Sequence, residues 1–254
     1  MFKTAPSIMA VICPLVLFGQ AKNPPAKSTL LPKLNDVMTM ERLKFGIRFI
    51  HADLPLRRAN QVVDDMVTWI LKNGRAAKDS TNPIAPQYTL IAKYYTPLGE
   101  AFNGFRFVGD QTSTGRFLYD PGALPIVFAD RNGQVALLIS GLVSESVFNT
   151  LKTSANQRAA LVAKKMVIPS VKDFKGLEGT DIQFYAISVL YSSKDFVKDD
   201  DARPEYLMFV APAKACHAFI RLELSDQDLL DASDIFVSDR EMGTDFRKTK
   251  LQIE

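Results

Sequence analysis

The stretch IVFADRNGQVALLI, Ile126 to Ile139, decides how this chain is read. Two apolar runs, Ile126 to Ala129 and Gln134 to Ile139, flank Asp130-Arg131-Asn132-Gly133. Asn-Gly between apolar runs is the strongest short-range hairpin signal, because the tight turn that matches strand twist needs positive φ at both central residues. A turn at Asn132-Gly133 pairs Phe128 with Leu137 on one face and Val127 with Leu138 on the other. Both faces are apolar, so the hairpin is expected to be covered on both sides.

Upstream of the hairpin, the texture from Tyr88 to Ile139 is that of strands, with Phe105-Arg106-Phe107 and Phe117-Leu118-Tyr119 between glycine and aspartate turns. Before a loop at Ala76 to Pro86, Asp53 to Asn73 carries apolar residues at helical spacing, with Asp53 placed to cap it, Pro55 in its first turn and Gly74 just beyond its end. Trp69 borders that stripe and reads as core packing. A shorter helix is expected from a cap at Asn35 or Asp36 to Phe45, followed by a short strand at Ile47 to Ile50.

Downstream, Ser144 to Met166 reads as helical in two pieces, the first capped by Ser144, the second by Ser154 or Asn156, and stopped by Pro169. Asp181 to Ser192 reads as a long strand whose faces are Ile182, Phe184, Ala186, Leu190 and Tyr185, Ile187, Val189, Tyr191. A polar loop, Lys194 to Arg203, leads to a strand at Tyr206 to Ala211. Pro212 breaks that run, and Ala215 to Leu224 is expected to resume as strand. Ser225 caps a short helix to Ala232, and Ile235 to Val237 is a last strand. The tail after Asp239 is charged, with Leu251 and Ile253 able to pair at an edge.

Helices grouped between runs of strands, without strict alternation, predict an α+β fold with a mainly antiparallel sheet. Ile182 to Val237 also has the strand–strand–strand–helix–strand order of a small OB-like barrel, which makes such a barrel one expectation for the C-terminal part. That likeness is one of order alone and carries no function.

The chain has 254 residues, of which 47% are hydrophobic and 23% charged, the composition of an ordinary globular protein rather than a disordered or fibrous one. Met1 to Ala21 reads as a secretory signal peptide: Lys3, an apolar run from Ser7 to Phe18, then Gly19-Gln20-Ala21 with small residues where a cleavage site needs them. Residues before Cys13 do not fit a lipoprotein box. The predicted organisation is therefore a signal peptide at 1–21, a Pro-rich extended tether at 22–34, an α+β domain at 35–170, a β-rich part at 171–239 and a charged tail at 240–254. No segment after Phe18 is long and apolar enough to span a bilayer. A periplasmic address is expected, with secretion as the alternative.

Reactive residues are few. There are 2 His and 2 Cys, and the signal peptide would remove Cys13, leaving Cys216 without a disulfide partner. His51, His217 and Cys216 lack zinc-ligand spacing, so no metal site is expected. On the strand expected at Ala215 to Leu224, Cys216 and His217 point to opposite faces and cannot form a Cys–His pair. Cys216 reads as a small buried hydrophobe, and His217 as a partly exposed cross-strand neighbour. Ser140, Ser144 and Ser146 lack the nucleophile-elbow pattern. No phosphate-binding or dinucleotide-binding glycine motif occurs. Asp199-Asp200-Asp201 with Glu205 forms the densest carboxylate cluster, and it reads as a solvated loop rather than a calcium site.

No catalytic or cofactor-binding residue is assigned. The formal charge of +3 is too small to imply nucleic acid. It is unevenly spread, however: residues 22–170 carry 19 basic against 11 acidic side chains, and residues 171–254 carry 11 against 17. Such a split suggests that the two parts face one another, or that each meets an oppositely charged partner. The expected function is a non-catalytic binding module of the envelope whose partner is an envelope protein or cell-wall component. Alternatives are an exported hydrolase using carboxylates and serines, and a small-ligand carrier with an aromatic pocket.

Overall fold

The computed structural model describes residues 31–38, 85–104, 115–117, 126–198, 201–238 and 246–253. The expected signal peptide, the helix at Asp53 to Asn73, the strands at Ile47 to Ile50 and Phe105 to Phe107, and His51 and Trp69 lie outside these residues.

The hairpin forms as its turn chemistry requires. Strand β2, Ile126–Arg131, pairs with β3, Gln134–Asn149, and Phe128 lies opposite Leu137 and Val127 opposite Leu138. Asn132 and Gly133 both take positive φ, 54° and 83°. Around this hairpin the strands build one seven-stranded sheet. Strand β1, Gly115–Phe117, pairs with β3 beyond the hairpin, at Leu142 to Ser144. Strands β4, Phe184–Lys194, β5, Arg203–Pro212, β6, Asp234–Ser238, and β7, Arg247–Thr249, follow in spatial order from β3. Every pairing is antiparallel except β3 with β4. The fold is α+β with a mainly antiparallel sheet, as expected.

The barrel is not. Strand β4 has β3 on one side and β5 on the other, so neither edge of it is free to close a ring, and β4 to β7 continue one open sheet. A parallel β3–β4 pair needs a long crossover, and the chain supplies it as one multi-part helix. Helix α3, Ala155–Val162, passes into a π-helical segment, Ala163–Val167, then α4, Ile168–Val171, and a 3-10 segment, Lys172–Leu177. Helices α1, Ala85–Lys93, and α2, Tyr95–Gly104, stand before β1 where the sequence texture from Tyr88 onward predicts strand; α5, Ala213–Ile220, and α6, Asp226–Asp231, follow β5.

The sheet is covered on both faces. On one, Phe128, Leu137, Tyr185, Ile187, Phe209 and Ile235 meet Tyr94 and Leu98, Val167 and Phe174, Cys216 and Phe219, and Leu229 of the helices. On the other, Ala136, Leu138, Ala186, Met208 and Val210 meet Leu34, Val37 and Met38. Residues 34–38 are helical from Leu34, so Asn35 and Asp36 lie inside the first turn instead of capping it. Lys33 bridges to Asp130, and the Asp130 amide donates to the Pro32 carbonyl at 2.8 Å.

Three further expectations are corrected. Residues Ser144 to Asn149 are strand, not helix, because β4 offers a pairing edge that reaches Val147, Phe148 and Asn149 after two register shifts. The second helical piece does start at Ser154, whose hydroxyl accepts from the Gln157 amide while the Gln157 side chain accepts from the Ser154 amide. Pro169 does not stop that helix. The hydrogen bonds step out by one residue just before it, with the Ile168 amide reaching Ala163, and the proline sits in the first turn of α4, where its missing N–H is least needed. Finally, Ala215 to Leu224 is not a strand. Pro212 begins helix α5, which buries Ala213, Cys216 and Phe219 at helical spacing.

Candidate interaction surface

Strands β3 and β4 end side by side, with the Thr150 amide donating to the Lys194 carbonyl at 3.0 Å. Each then makes a side-chain-braced turn. The Asn149 Oδ1 accepts the Leu151 amide at 2.9 Å, and the Asp195 Oδ1 accepts the Val197 and Lys198 amides at 3.0 and 3.2 Å. Asx turns of this kind fix a loop locally without tertiary packing. What the turns and the adjoining end of β3 hold out is apolar. Val147 is 46% exposed, Leu151 58%, Phe196 53% and Val197 77%. Lone exposed hydrophobes need no explanation; several at one end of a sheet make that end the candidate surface. The Lys194 ammonium lies 6.0 Å from the Phe196 ring centre.

Directly beneath, a buried clasp joins three elements. Arg158 of α3 grips Glu205 of β5 with both prongs, Nε to Oε2 at 2.9 Å and Nη2 to Oε1 at 2.6 Å. Its third arm, Nη1, donates to the Thr153 carbonyl at 2.5 Å, and Ser193 Oγ of β4 donates to Glu205 Oε1 at 2.8 Å. Glu205 and Ser193 are fully buried and Arg158 nearly so. Glu205 therefore leaves the carboxylate cluster in which its sequence position placed it: Asp201 is exposed, Glu205 points into the core, and Asp199 and Asp200 lie outside the described residues. Ser144, expected as a cap, accepts instead from the Ser146 amide within β3 at 3.2 Å.

The start of β4, at the opposite end, carries the other polar cluster. Tyr185 is stacked on Phe174 with ring centres 4.4 Å apart, and its hydroxyl donates to the Leu177 carbonyl at 3.2 Å. That hydroxyl has one proton, so at the His217 Nε2, 3.1 Å away, the histidine is the donor. Nearby, Asp181 accepts from Lys93 at 2.8 and 2.9 Å and from the Tyr94 hydroxyl. Burial keeps His217 below its usual range, with Arg221 pushing the same way and Glu178 opposing. A depressed folded-state value means that the neutral ring's contribution is complete above the unfolded value, about 6.5, and is lost as pH falls through the folded one. Acid should therefore weaken the native protein more than a His217→Gln variant, compared by urea midpoints between about pH 7 and 5.

Cys216 neighbours His217 on α5, but its side chain is fully buried and burial pushes its thiol up to about 12. A thiol in that state is not a nucleophile at neutral pH. Thiol labelling of the native protein should be slow and should become fast only when denaturant is added; rapid labelling of folded protein would contradict this burial.

Among the described residues, three ion pairs join a base from residues 22–170 to an acid from residues 171–254: Lys93–Asp181, Arg131–Asp234 and Arg158–Glu205. They run in the direction of the charge split. Among the described residues there is no group of three His, Cys, Asp or Glu able to hold a metal ion, and no helix is long and apolar enough to cross a membrane. An open groove of about 220 Å³ runs along α3 against the C-terminal segment, between Gln157, Leu161 and Lys164 on one wall and Gln252 and Ile253 on the other. No protein-family description matches this sequence, and neither curated proteins nor solved structures yield a significant match.

Proposed function

We propose that this chain is an exported envelope protein that acts without catalysis, docking a protein partner onto the end of the sheet where Val147, Leu151, Phe196 and Val197 are exposed. The observation that carries the reading is that Leu151, Phe196 and Val197 are held in water by braced turns, beside the exposed Val147 of β3 and over a rigid base. A loop ordered in that way meets its partner with little further loss of conformational freedom, which is what makes an aromatic side chain an effective anchor. Glu205, the most buried carboxylate of this region, has both oxygens engaged by Arg158 and Ser193, and this favours binding over hydrolysis. The export half of the proposal rests on residues 1–21.

Two measurements test it. Cell fractionation with N-terminal sequencing should find the protein in the periplasm, beginning near Lys22; a folded cytoplasmic chain that retains Met1 would remove the export half. Separately, full-length protein carrying a photo-crosslinker at Leu151 should capture an envelope protein in cells. Replacing Phe196 and Val197 together by Asp should reduce that capture by about 30-fold or more, the loss of at least 2 kcal/mol typical of a central anchor, with the thermal midpoint unchanged. Undiminished capture by the variant would show that the partner docks elsewhere, and capture of glycan strands alone would replace the protein partner by the cell wall.

A further inference from the structure

The turn that sets the hairpin register is also a reactive peptide. In an Asn-Gly sequence the glycine nitrogen has no Cβ beside it, so it can attack the asparagine side chain. At Asn132 the Gly133 nitrogen would form a bond to Cγ while the Cγ–Nδ2 bond breaks. The Nδ2 leaves as ammonia, carrying the former Gly133 amide proton. Water then opens the cyclic imide at one carbonyl or the other, leaving aspartate or isoaspartate at position 132. Asn132 and Gly133 are exposed at the tip of the turn, so water has access.

One contact opposes the first step. The Gly133 N–H donates to Asp130 Oδ1 at 2.7 Å. Asp130 is itself 96% buried, and its other oxygen receives the Lys33 ammonium. The attacking species is the deprotonated amide, and an adjacent carboxylate disfavours a second negative charge beside it. The hydrogen bond must also break before the nitrogen can turn toward Cγ.

We propose that Asn132 is a latent site of water-dependent deamidation that Asp130, braced by Lys33, keeps closed in the folded protein. Opening it has a large effect. Isoaspartate adds a methylene to the main chain of a two-residue turn, and the pairing of Asp130 with Val135 and Arg131 with Gln134 depends on that turn's length.

Peptide mass mapping after incubation at mildly alkaline pH tests the idea on the full chain. Asn73-Gly74 and Asn103-Gly104 provide further Asn-Gly references in the urea-unfolded protein. Native Asn132 should react at least about tenfold more slowly than unfolded Asn132, the factor that roughly 1.4 kcal/mol of hydrogen-bond stabilisation provides. In folded Asp130→Ala protein most of that protection should disappear, while Asp130→Asn, which keeps an acceptor, should retain part of it. Equal native and unfolded rates would overturn the proposal. So would slower reaction in Asp130→Ala, which would make Asp130 a general base for the attack. Should Asp130→Ala fail to fold, amide exchange in the unaltered protein decides: a protected Gly133 amide supports the guard, and exchange at the unstructured-chain rate refutes it.

Discussion

Replacing Glu205 by Ala is expected to lower the stability of the protein by about 3–5 kcal/mol, the characteristic loss when one partner of a buried ion pair is removed. The reason is the position of Arg158, which keeps its charge under all ordinary conditions. With Glu205 gone, the guanidinium stays beneath the Leu151 and Phe196 turns with its Thr153 contact alone among the bonds described above, and Ser193 loses its acceptor. Arg158→Ala should cost a similar amount, since it leaves a fully buried carboxylate facing only a hydroxyl. The double variant Arg158→Met/Glu205→Leu should recover most of the loss, because matched apolar residues abolish the desolvation of both charges. Urea-denaturation midpoints of the two single variants and the double variant give the coupling directly. If each single variant lies within about 1 kcal/mol of the parent, the scale of an exposed pair, then the clasp is open to water and the tip has no rigid base.

The second large effect is expected at Gly176. This residue lies in the 3-10 segment where it crosses α2, and a Cβ there would sit 2.8 Å from the Ala101 nitrogen and from the Glu100 Cβ, and 3.1 Å from the Pro97 carbonyl oxygen. Two of those three atoms belong to the backbone of a helix and cannot swing aside. Gly176→Ala should therefore destabilise by about 1–3 kcal/mol through overpacking, and Gly176→Val by more. Gly99 is the control. It lies in the same helix with nothing within 4 Å of its Cβ position, so Gly99→Ala should stabilise by about 0.5–1 kcal/mol through helix propensity. Opposite signs for two Gly→Ala changes, read from thermal midpoints, would locate the close approach; a neutral Gly176→Ala would mean that the 3-10 segment stands off from α2.

Which parts of this structure can be read from the residues follows from the range of the forces involved. The β2–β3 hairpin is legible to the register because Asn132-Gly133 sets its turn locally, and the same holds for the Ser225 cap, whose hydroxyl accepts from the Asp228 amide. Ala213 to Ile220 is misread because its apolar residues satisfy two periods at once. Cys216, Ala218 and Ile220 alternate as in a strand, while Ala213, Cys216 and Phe219 recur as in a helix, and only Pro212 breaks the tie. The end of β3 is illegible for a different reason: Ser144 to Asn149 becomes strand because β4, far along the chain, provides an edge. Arg158 and Glu205 lie 47 residues apart, and no local pattern connects them. The exposed tip did leave a signal, since Phe196-Val197 is an apolar pair inside an otherwise polar loop, an arrangement that a solvated linker does not require.

The last strand has a protective role. Strand β7 forms one of the two borders of the sheet, it is only three residues long, and it is Arg247-Lys248-Thr249. An unpaired strand edge is a template on which another chain can add, and short, lysine-bearing edges are how natural sheets discourage such addition. Lys248 is held by Asp234 and Arg247 by Asn156, so both cations are fixed along that border. A protein whose formal charge is only +3 has little overall repulsion to keep its copies apart. At this border, discouraging the addition of another strand falls to these two side chains and to the strand's shortness, while β1 and β2 form the opposite border.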